Sequence, residues 1–336
     1  MSVSSLPLVL ITNAVSPEVL SPLNGLARVI LGPAGGDLMV RSDVLRLAPD
    51  LVGIVNQAEL RVDEELLALA PHLKVVANVS IGTNNLDLAL MQRRGVYATN
   101  VPHAFVGATA DYALGAMLAL VRRIPEADRY VRSGAWNGFQ PGAWDGALLD
   151  GKILGLVGYG AIGRAVAIRA RGFGLRTMYH QRTPVDDPEY ASLDSLLQAA
   201  DIVSLHLPLN HDSDRLISAA RLARMKRGAC LVNSARGRIV DEAALVAALE
   251  SGHLAGAALD VFENEPSVHP ALLSMRNVVL TPHLGGGTHE SRHRARSHCV
   301  MDVARVLSGQ RPVSALNEPL STGNDDPRQN PSSPFP

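Results

Sequence analysis

The chain reads as an α/β protein of two parallel-sheet domains, and three observations predict this. Short apolar runs alternate with segments of helical spacing along most of the length; one run ends in a G-x-G-x-x-G turn; and five more runs with crossover segments follow that turn. At 336 residues the chain is long for a single core, which fits two domains.

The first run, 8–12, is bounded by Asn13, and others follow at 27–31, 51–55, 74–78 and 96–98. Helical spacing lies between them, as at 63–70 and 86–93, so the first hundred residues predict a small parallel sheet flanked by helices. Asn100, Val101 and Pro102 break the rhythm, 102–107 reads as the crossing into the second domain, and an Ala- and Leu-rich helix is expected over 107–123. Glycines, Trp136, Pro141 and Trp144 make 134–151 an irregular loop.

The central run, ILGLV at 153–157, stops at Gly158, with Gly160 and Gly163 completing the glycine spacing. Ala165, Ala167, Ile168 and Ala170 then recur at helical intervals, so the segment reads strand, tight turn, helix. Gly158 permits the turn, Gly160 lacks a side chain that would hold a pyrophosphate off the backbone, and Gly163 lets the helix pack close on the strand. The free N–H groups and the positive helix end then face the phosphates. Glycines alone would fit a plain turn; the strand before and the helix after favour a dinucleotide site.

Further strands are expected at 175–180, 201–207, 229–233, 255–260 and 277–280, with helical segments such as 241–250 between them. Six strands with crossovers match a doubly wound nucleotide domain whose ligand lies at the carboxyl ends of the strands. A last helix over 289–307 is expected to return to the first domain, and STGNDDPRQNPSSPFP at 321–336 reads as a disordered tail. The expected division is 1–101 and 288–318 for the smaller domain, 102–287 for the nucleotide domain and 319–336 for the tail.

A net charge of −1 gives no reason to expect nucleic acid or an anionic membrane as partner. Cys230 and Cys299 have neither a pairing pattern nor a metal spacing, which predicts free thiols in a reducing cytoplasm. The N-terminus, MSVSSLPLVLITN, shows no targeting segment. His289 and His293 stand at zinc-ligand spacing, but Arg292, Arg294 and Arg296 would repel a cation, so a polar helix face and no metal are expected.

Hydride transfer between a nicotinamide and a 2-oxo or 2-hydroxy acid needs a cation for the carboxylate and carbonyl, a proton carrier and a group that sets the carrier's pKa. Arg236 follows NSA after the fourth strand, Glu265 lies in VFENEP after the fifth, and His283 lies in TPHLGG after the sixth. Singly, such residues read as a surface charge and a solvated loop histidine. In order, GYGAIG, NSARG, ALDVFENEP and TPHLGG resemble the D-isomer-specific 2-hydroxyacid dehydrogenase family, over nearly the whole chain to about residue 318.

That resemblance implies a Rossmann nucleotide-binding domain inserted into a smaller flavodoxin-like substrate domain, with substrate held in the cleft between them. It implies that Arg236 binds the substrate carboxylate and carbonyl, that His283 is the acid/base, and that Glu265 pairs with His283, while Glu263 is solvated. The chemistry agrees: an imidazole titrates near neutrality, a carboxylate stabilises its protonated form, and a guanidinium fork matches a carboxylate. By the same resemblance, backbone N–H groups of Ile81 and Gly82 in the loop 79–87 hold the carboxylate, with Asn84 where many members carry Asp. Cofactor contacts carried over are Thr109, Ala161, Ile162, Pro208 near the adenine, Ser213 at the pyrophosphate, Ala235, and Asp260 accepting from the carboxamide; a cap or turn role competes for Thr109 and Ser213.

An NAD enzyme places Asp or Glu about twenty residues beyond the glycines to bind the ribose hydroxyls. Here His180, Gln181, Arg182 and Thr183 stand there, with Asp186 and Asp187 only past Pro184. A 2'-phosphate meets no repulsion, so NADP is the expected cofactor and NAD the second, a pattern similar to glyoxylate, hydroxypyruvate and 2-ketogluconate reductases. A homodimer is implied, in which Trp136, Phe139 or Trp144 closes the partner's pocket, simple packing being the alternative. Competing readings are a phosphoglycerate dehydrogenase, for whose regulatory domain the chain has no room, a phosphite dehydrogenase, which VRSGAW resembles, and a non-enzymatic, cofactor-gated corepressor.

Overall fold

The computed structural model describes residues 6–320, so the expected tail at 321–336 lies outside the described residues. The chain divides into two compact units, one formed by the residues up to Phe105 with those from His289, the other by Val106–Thr288. The first boundary falls four residues after the expected 101/102 division, because Ala104 and Phe105 pack against the core of the first unit. The second boundary lies one residue beyond the expected 287/288.

Eleven strands form two all-parallel sheets among the described residues. They are β1 (Leu8–Ile11), β2 (Arg28–Leu31), β3 (Leu51–Asn56), β4 (Val75–Asn78), β5 (Tyr97–Thr99), β6 (Ile153–Val157), β7 (Arg176–His180), β8 (Ile202–Leu205), β9 (Cys230–Asn233), β10 (Gly256–Leu259) and β11 (Val278–Leu280). The helices are α1 (Pro17–Leu20), α2 (Arg41–Leu47), α3 (Glu64–Leu69), α4 (Leu88–Arg93), α5 (Val106–Val121), α6 (Ile124–Arg132), α7 (Ala161–Arg171), α8 (Leu193–Ala199), α9 (Ala219–Arg224), α10 (Glu242–Glu250), α11 (Pro270–Ser274) and α12 (His289–Leu307).

The first sheet runs β2-β1-β3-β4-β5, the flavodoxin-like order. β1 and β4 are buried throughout, as strands covered on both faces must be. Asp63 and Asp87 cap α3 and α4 by accepting from Leu66 N and Leu90 N. The returning helix α12 buries Cys299, Val300 and Val303 against Val9, Val55, Val75 and Ala77 of this sheet. A Cβ on Gly53 of β3 would lie 3.1 Å from Val303, so the small residue allows that close packing.

The second sheet runs β11-β10-β9-β8-β6-β7. Tyr190 makes a single parallel bridge to Tyr179 at the outer edge of β7, where a Rossmann sheet carries its third strand, so that strand is reduced to one bridge. Ala113, Leu114 and Met117 of α5 pack on Val166, Ala167 and Ala170 of α7 over one face, and leucines of α8 and α10 fill the other. The chain leaves β6 toward β7 on one side and β8 on the other, and the carboxyl ends where this order reverses are where such a sheet binds its ligand.

Helix α6 has no counterpart in the expected elements; Ile124, Ala127 and Val131 form an apolar stripe along it, but it buries none of its residues. No helix among the described residues is long and apolar enough to cross a membrane.

Candidate active site

At the end of β6, Gly158 adopts φ +98°, and a Cβ there would lie 2.3 Å from His206 O. A Cβ on Gly163 would lie 2.3 Å from Gly158 O, whereas one on Gly160 meets nothing within 4 Å. The fold itself therefore requires the first and third glycines but not the second. The space over Gly160 is left for something else, at the point where α7 starts with Gly160 as its N-cap. The first N–H groups of α7 have no intrahelical acceptor, Arg164 N being the first to bond back, to Gly160 O at 3.0 Å. The donors and the empty cradle fit a dinucleotide pyrophosphate.

His206, beside this turn, meets Ser204 Oγ through Nε2 at 2.9 Å, and burial pushes its pKa down to about 4. The ring is neutral near pH 7. Farther along, β7 ends at His180, whose Nδ1 meets Ala191 O at 3.1 Å, and Gln181 Nε2 donates to Thr183 O at 3.0 Å. Arg182 and Thr183 are exposed, and Arg182 has no ion pair among the described residues. The nearby carboxylate of Asp187 accepts from Tyr179 OH at 2.9 Å and Glu189 N at 2.8 Å, which occupies it away from the strand tip.

Thr109 is buried in the first turn of α5 and Pro208 is exposed after β8. Ser213, expected at the pyrophosphate or in a turn, has local partners. It is buried, its hydroxyl donates to Pro208 O at 2.7 Å and accepts from Asn210 N at 2.8 Å, so its one proton is committed to the local turn.

Three successive strand tips carry the reactive side chains. Asn233, the buried last residue of β9, accepts from Ala235 N at 3.1 Å and donates to Arg236 O at 3.0 Å, which folds the chain back and presents Arg236. Gly237 abuts the segment after β10 so closely that a Cβ would sit 1.9 Å from the Phe262 backbone. Arg236 is partly buried and donates from Nη1 to Ala235 O at 2.6 Å. Burial lowers its pKa below the arginine value, with the charge of Glu265 acting in opposition.

Glu265 Oε2 meets His283 Nδ1 at 2.8 Å, and Oε1 accepts from Phe262 N at 3.1 Å. Burial raises the Glu265 pKa, but the hydrogen bond and charge of His283, the Phe262 N–H and Arg236 outweigh it and hold the carboxyl below its ordinary value. With an ionised acceptor, Nδ1 must be the donor, which leaves Nε2 of the half-exposed imidazole for proton exchange.

His283 holds φ +52°, a left-handed conformation uncommon outside glycine. Asp260 stabilises it. This carboxylate, 1% exposed, accepts on Oδ1 from Thr281 Oγ1 at 2.6 Å and Leu284 N at 2.8 Å, and on Oδ2 from Gly285 N at 2.7 Å. Asp260 O also accepts from His283 N at 2.9 Å. Asp260 thus shapes the loop that carries His283, and its Oδ2, with a single N–H bound, keeps acceptor capacity for the carboxamide expected there. Because Thr281 spends its proton on Asp260, Tyr112 OH donates to Thr281 Oγ1 at 2.6 Å, and burial pushes that phenol up to about 12.

Glu263, expected to be solvated, is also corrected. Its side chain is 16% exposed and pairs with Arg215, and its N–H donates to Glu242 Oε2 at 3.0 Å, so it clamps neighbouring loops. Asn233, Thr281 and Tyr112 had drawn no site assignment. An asparagine directly after an apolar run, as in NSARG, is the one local signal among them.

Ile81 and Gly82 lie partly exposed in the loop after β4 of the first unit. A cavity of ≈ 570 Å³ in the second unit is lined by Lys152, Ile202, Cys230 and Val278 at the amino ends of the strands, at the opposite edge of the sheet from the glycine turn.

The family model "D-isomer specific 2-hydroxyacid dehydrogenase, NAD binding domain" matches residues 114–285. A glyoxylate reductase of Thermococcus litoralis is 39% identical over 294 residues, which cover 84% of this chain and 89% of that one. The crystal structure of a glyoxylate reductase from Paecilomyes thermophila aligns with a TM-score of 0.82 at 30% identity, over 93% of this chain and 98% of its own. The NADPH-dependent glyoxylate/hydroxypyruvate reductase of Sinorhizobium meliloti, solved with NADP and malonate, aligns with a TM-score of 0.79 at 31% identity, over 94% and 98%.

Proposed function

Because the chain belongs to the D-isomer specific 2-hydroxyacid dehydrogenase family and is an NAD(P)-dependent 2-oxo acid reductase, we propose that it acts on glyoxylate and hydroxypyruvate, with 2-ketogluconate as the third candidate, and prefers NADPH. The observation that carries this reading is the 2.8 Å pair of Glu265 and His283, with Arg236 close enough for its charge to act on the same carboxylate.

Gly158, Gly160, Gly163, Ala161 and Ile162 hold the pyrophosphate, Thr109, Pro208 and Ala235 contact the rest of the dinucleotide, and His180, Gln181, Arg182 and Thr183 receive the 2'-phosphate. The support for NADP is an exposed, unpaired Arg182 and the absence of a carboxylate at the tip of β7. When bound, the reduced nicotinamide supplies the hydride. Arg236 binds the substrate carboxylate and polarises the carbonyl, and His283 delivers a proton from Nε2 to the carbonyl oxygen. Glu265 stabilises the imidazolium until that transfer, and oxidation runs the same steps in reverse. For Ile81 and Gly82 the carboxylate-binding role rests on the sequence resemblance.

The assembly proposed is a homodimer in the cytoplasm. Its support is the arm from α6 to residue 148, which exposes Ile124 (54%), Trp136 (60%), Phe139 (88%) and Leu148 (72%), while Trp144 packs on Tyr130. Buried free thiols at Cys230 and Cys299 suit a reducing compartment. Following NADPH and NADH oxidation against glyoxylate, hydroxypyruvate, 2-ketogluconate and an arylpyruvate tests cofactor and substrate together. Oxidation with the small 2-oxo acids and NADPH is expected; none with any 2-oxo acid would overturn the assignment and favour a corepressor-like module.

A further inference from the structure

Asn78 ends β4 fully buried, and the catalytic reading gives it no task. Its Nδ2 reaches Ser80 Oγ at 2.9 Å, Gly82 O at 3.2 Å and Asn85 Oδ1 at 2.9 Å, while its Oδ1 accepts from Asn85 Nδ2 at 3.1 Å. Ser80 Oγ donates to Gly82 O as well, at 2.6 Å. Buried Asn100 donates from Nδ2 to Ile81 O at 2.8 Å, and Val101 N donates to Ser80 O at 3.0 Å.

Three successive carbonyls, of Ser80, Ile81 and Gly82, are therefore each turned onto a protein donor. In a trans peptide the C=O and the following N–H point in opposite directions. The N–H groups of Ile81, Gly82 and Thr83 are thus turned away from those donors. None of the three donates to an acceptor among the described residues, and all three residues are partly exposed. Successive unbonded N–H groups on a tied backbone are donors left for an anion.

We propose that Asn78 and Asn100 are positioning residues that set these peptide planes, so that Ile81, Gly82 and Thr83 together bind the substrate carboxylate through their N–H groups. This rests on the 2-oxo acid reading, and it adds Thr83 N–H to the contacts that the resemblance implies. Without the Asn100 amide Ile81 O loses its donor, and without that of Asn78 Gly82 O keeps only Ser80 Oγ, which has itself lost the donor that holds it; either peptide can then turn over and place a carbonyl oxygen where the anion needs an N–H.

The test uses the full-length protein, with Asn78→Leu and Asn100→Leu beside wild type. Oxamate is titrated while the backbone amide resonances are followed, and kcat, KM for glyoxylate and NADPH affinity are measured. The proposal expects the Ile81, Gly82 and Thr83 amides to shift with oxamate in wild type. Each variant should raise KM about tenfold, the scale of one hydrogen bond to a charged group, with kcat and NADPH affinity held within about twofold. Wild-type amides that ignore saturating oxamate overturn it, as does a folded variant with unchanged KM. Parallel losses in kcat and NADPH affinity mark a general packing role and also overturn it. Should a Leu variant not fold, the near-isosteric Asn78→Asp or Asn100→Asp, which loses the Nδ2 donor, takes its place: the same rise in KM is expected, and an unchanged KM overturns the proposal. A wild type that shows the shifts but reduces no 2-oxo acid would retain this carboxylate site and sink the reductase assignment instead.

Discussion

Replacing Glu265 by Gln removes one charge and, because an amide has one acceptor oxygen where the carboxylate has two, one of the two hydrogen bonds it accepts. The amide oxygen can still accept from His283 Nδ1 or Phe262 N, the two bonds that orient the wild-type carboxyl at 2.8 and 3.1 Å. What disappears is the attraction between carboxylate and imidazolium. Two unit charges about 4 Å apart interact by about 4 kcal/mol at an effective dielectric of about 20. The side chains of His283 and Glu265 are 50% and 36% exposed, so solvent screening cuts the interaction further. Roughly 2 kcal/mol remains, about a thirtyfold change in rate. Turnover of glyoxylate should fall by that factor with NADPH affinity unchanged. Steady-state rates with the cofactor saturating read the effect. Wild-type turnover would refute the electrostatic role and leave Glu265 as an orienting group alone.

Arg182→Ala should raise KM for NADPH about tenfold and leave NADH nearly unaffected, measured as kcat/KM for each cofactor; equal effects on both would remove the 2'-phosphate contact. Gly160→Ala has nothing within 4 Å to strike, so its melting temperature should match wild type while cofactor affinity falls, as titrated by protein fluorescence. Gly158→Ala, at φ +98° and 2.3 Å from His206 O, should lose stability as well. His206, at about 4 when folded against 6.5 as the reference, is protonated first in the unfolded chain, so stability should decline as pH falls through that window. Denaturant midpoints of His206→Gln should decline less steeply over the same range, and equal slopes would contradict the buried neutral ring.

The βα rhythm, the glycine turn and the return helix were legible because their signals are local: run length, glycine spacing and helical intervals are read within a dozen residues. The order of Arg236, Glu265 and His283 on successive strand tips was equally legible from the motifs around them. Helix α6 was not: its apolar stripe spans only nine residues beside an irregular loop and buries nothing. Nor was the third Rossmann strand, reduced to the Tyr190 bridge. Three sets of local contacts were not legible, for one physical reason. Ser213, Asp260 and Glu263 each bear a polar group whose partner is fixed by folding: a turn carbonyl for Ser213, the loop of His283 for Asp260, and Arg215 for Glu263. Residue type alone cannot tell a carboxylate that meets a ligand from one already engaged by its own backbone.

That distinction points to a rule of construction in both units. A parallel ladder stops at the carboxyl end of each strand, and the backbone of the next loop then needs partners where water is scarce. Asn56 ends β3 and serves Ala58 N, Leu60 N and Leu60 O; Asn78 ends β4 and serves Gly82 O; Asn233 ends β9 and serves Ala235 N and Arg236 O; Asp260 follows β10 and serves three donors. An amide supplies both a donor and an acceptor, which suits a loop that presents carbonyls and N–H groups together. Asp260 meets only donors, and there the residue is a carboxylate. The chemistry at these tips thus depends on a buried layer one step behind it. Asn233→Leu should therefore depress turnover while Arg236, Glu265 and His283 are all still present. Full activity in that variant would show that the turn holds Arg236 without its asparagine.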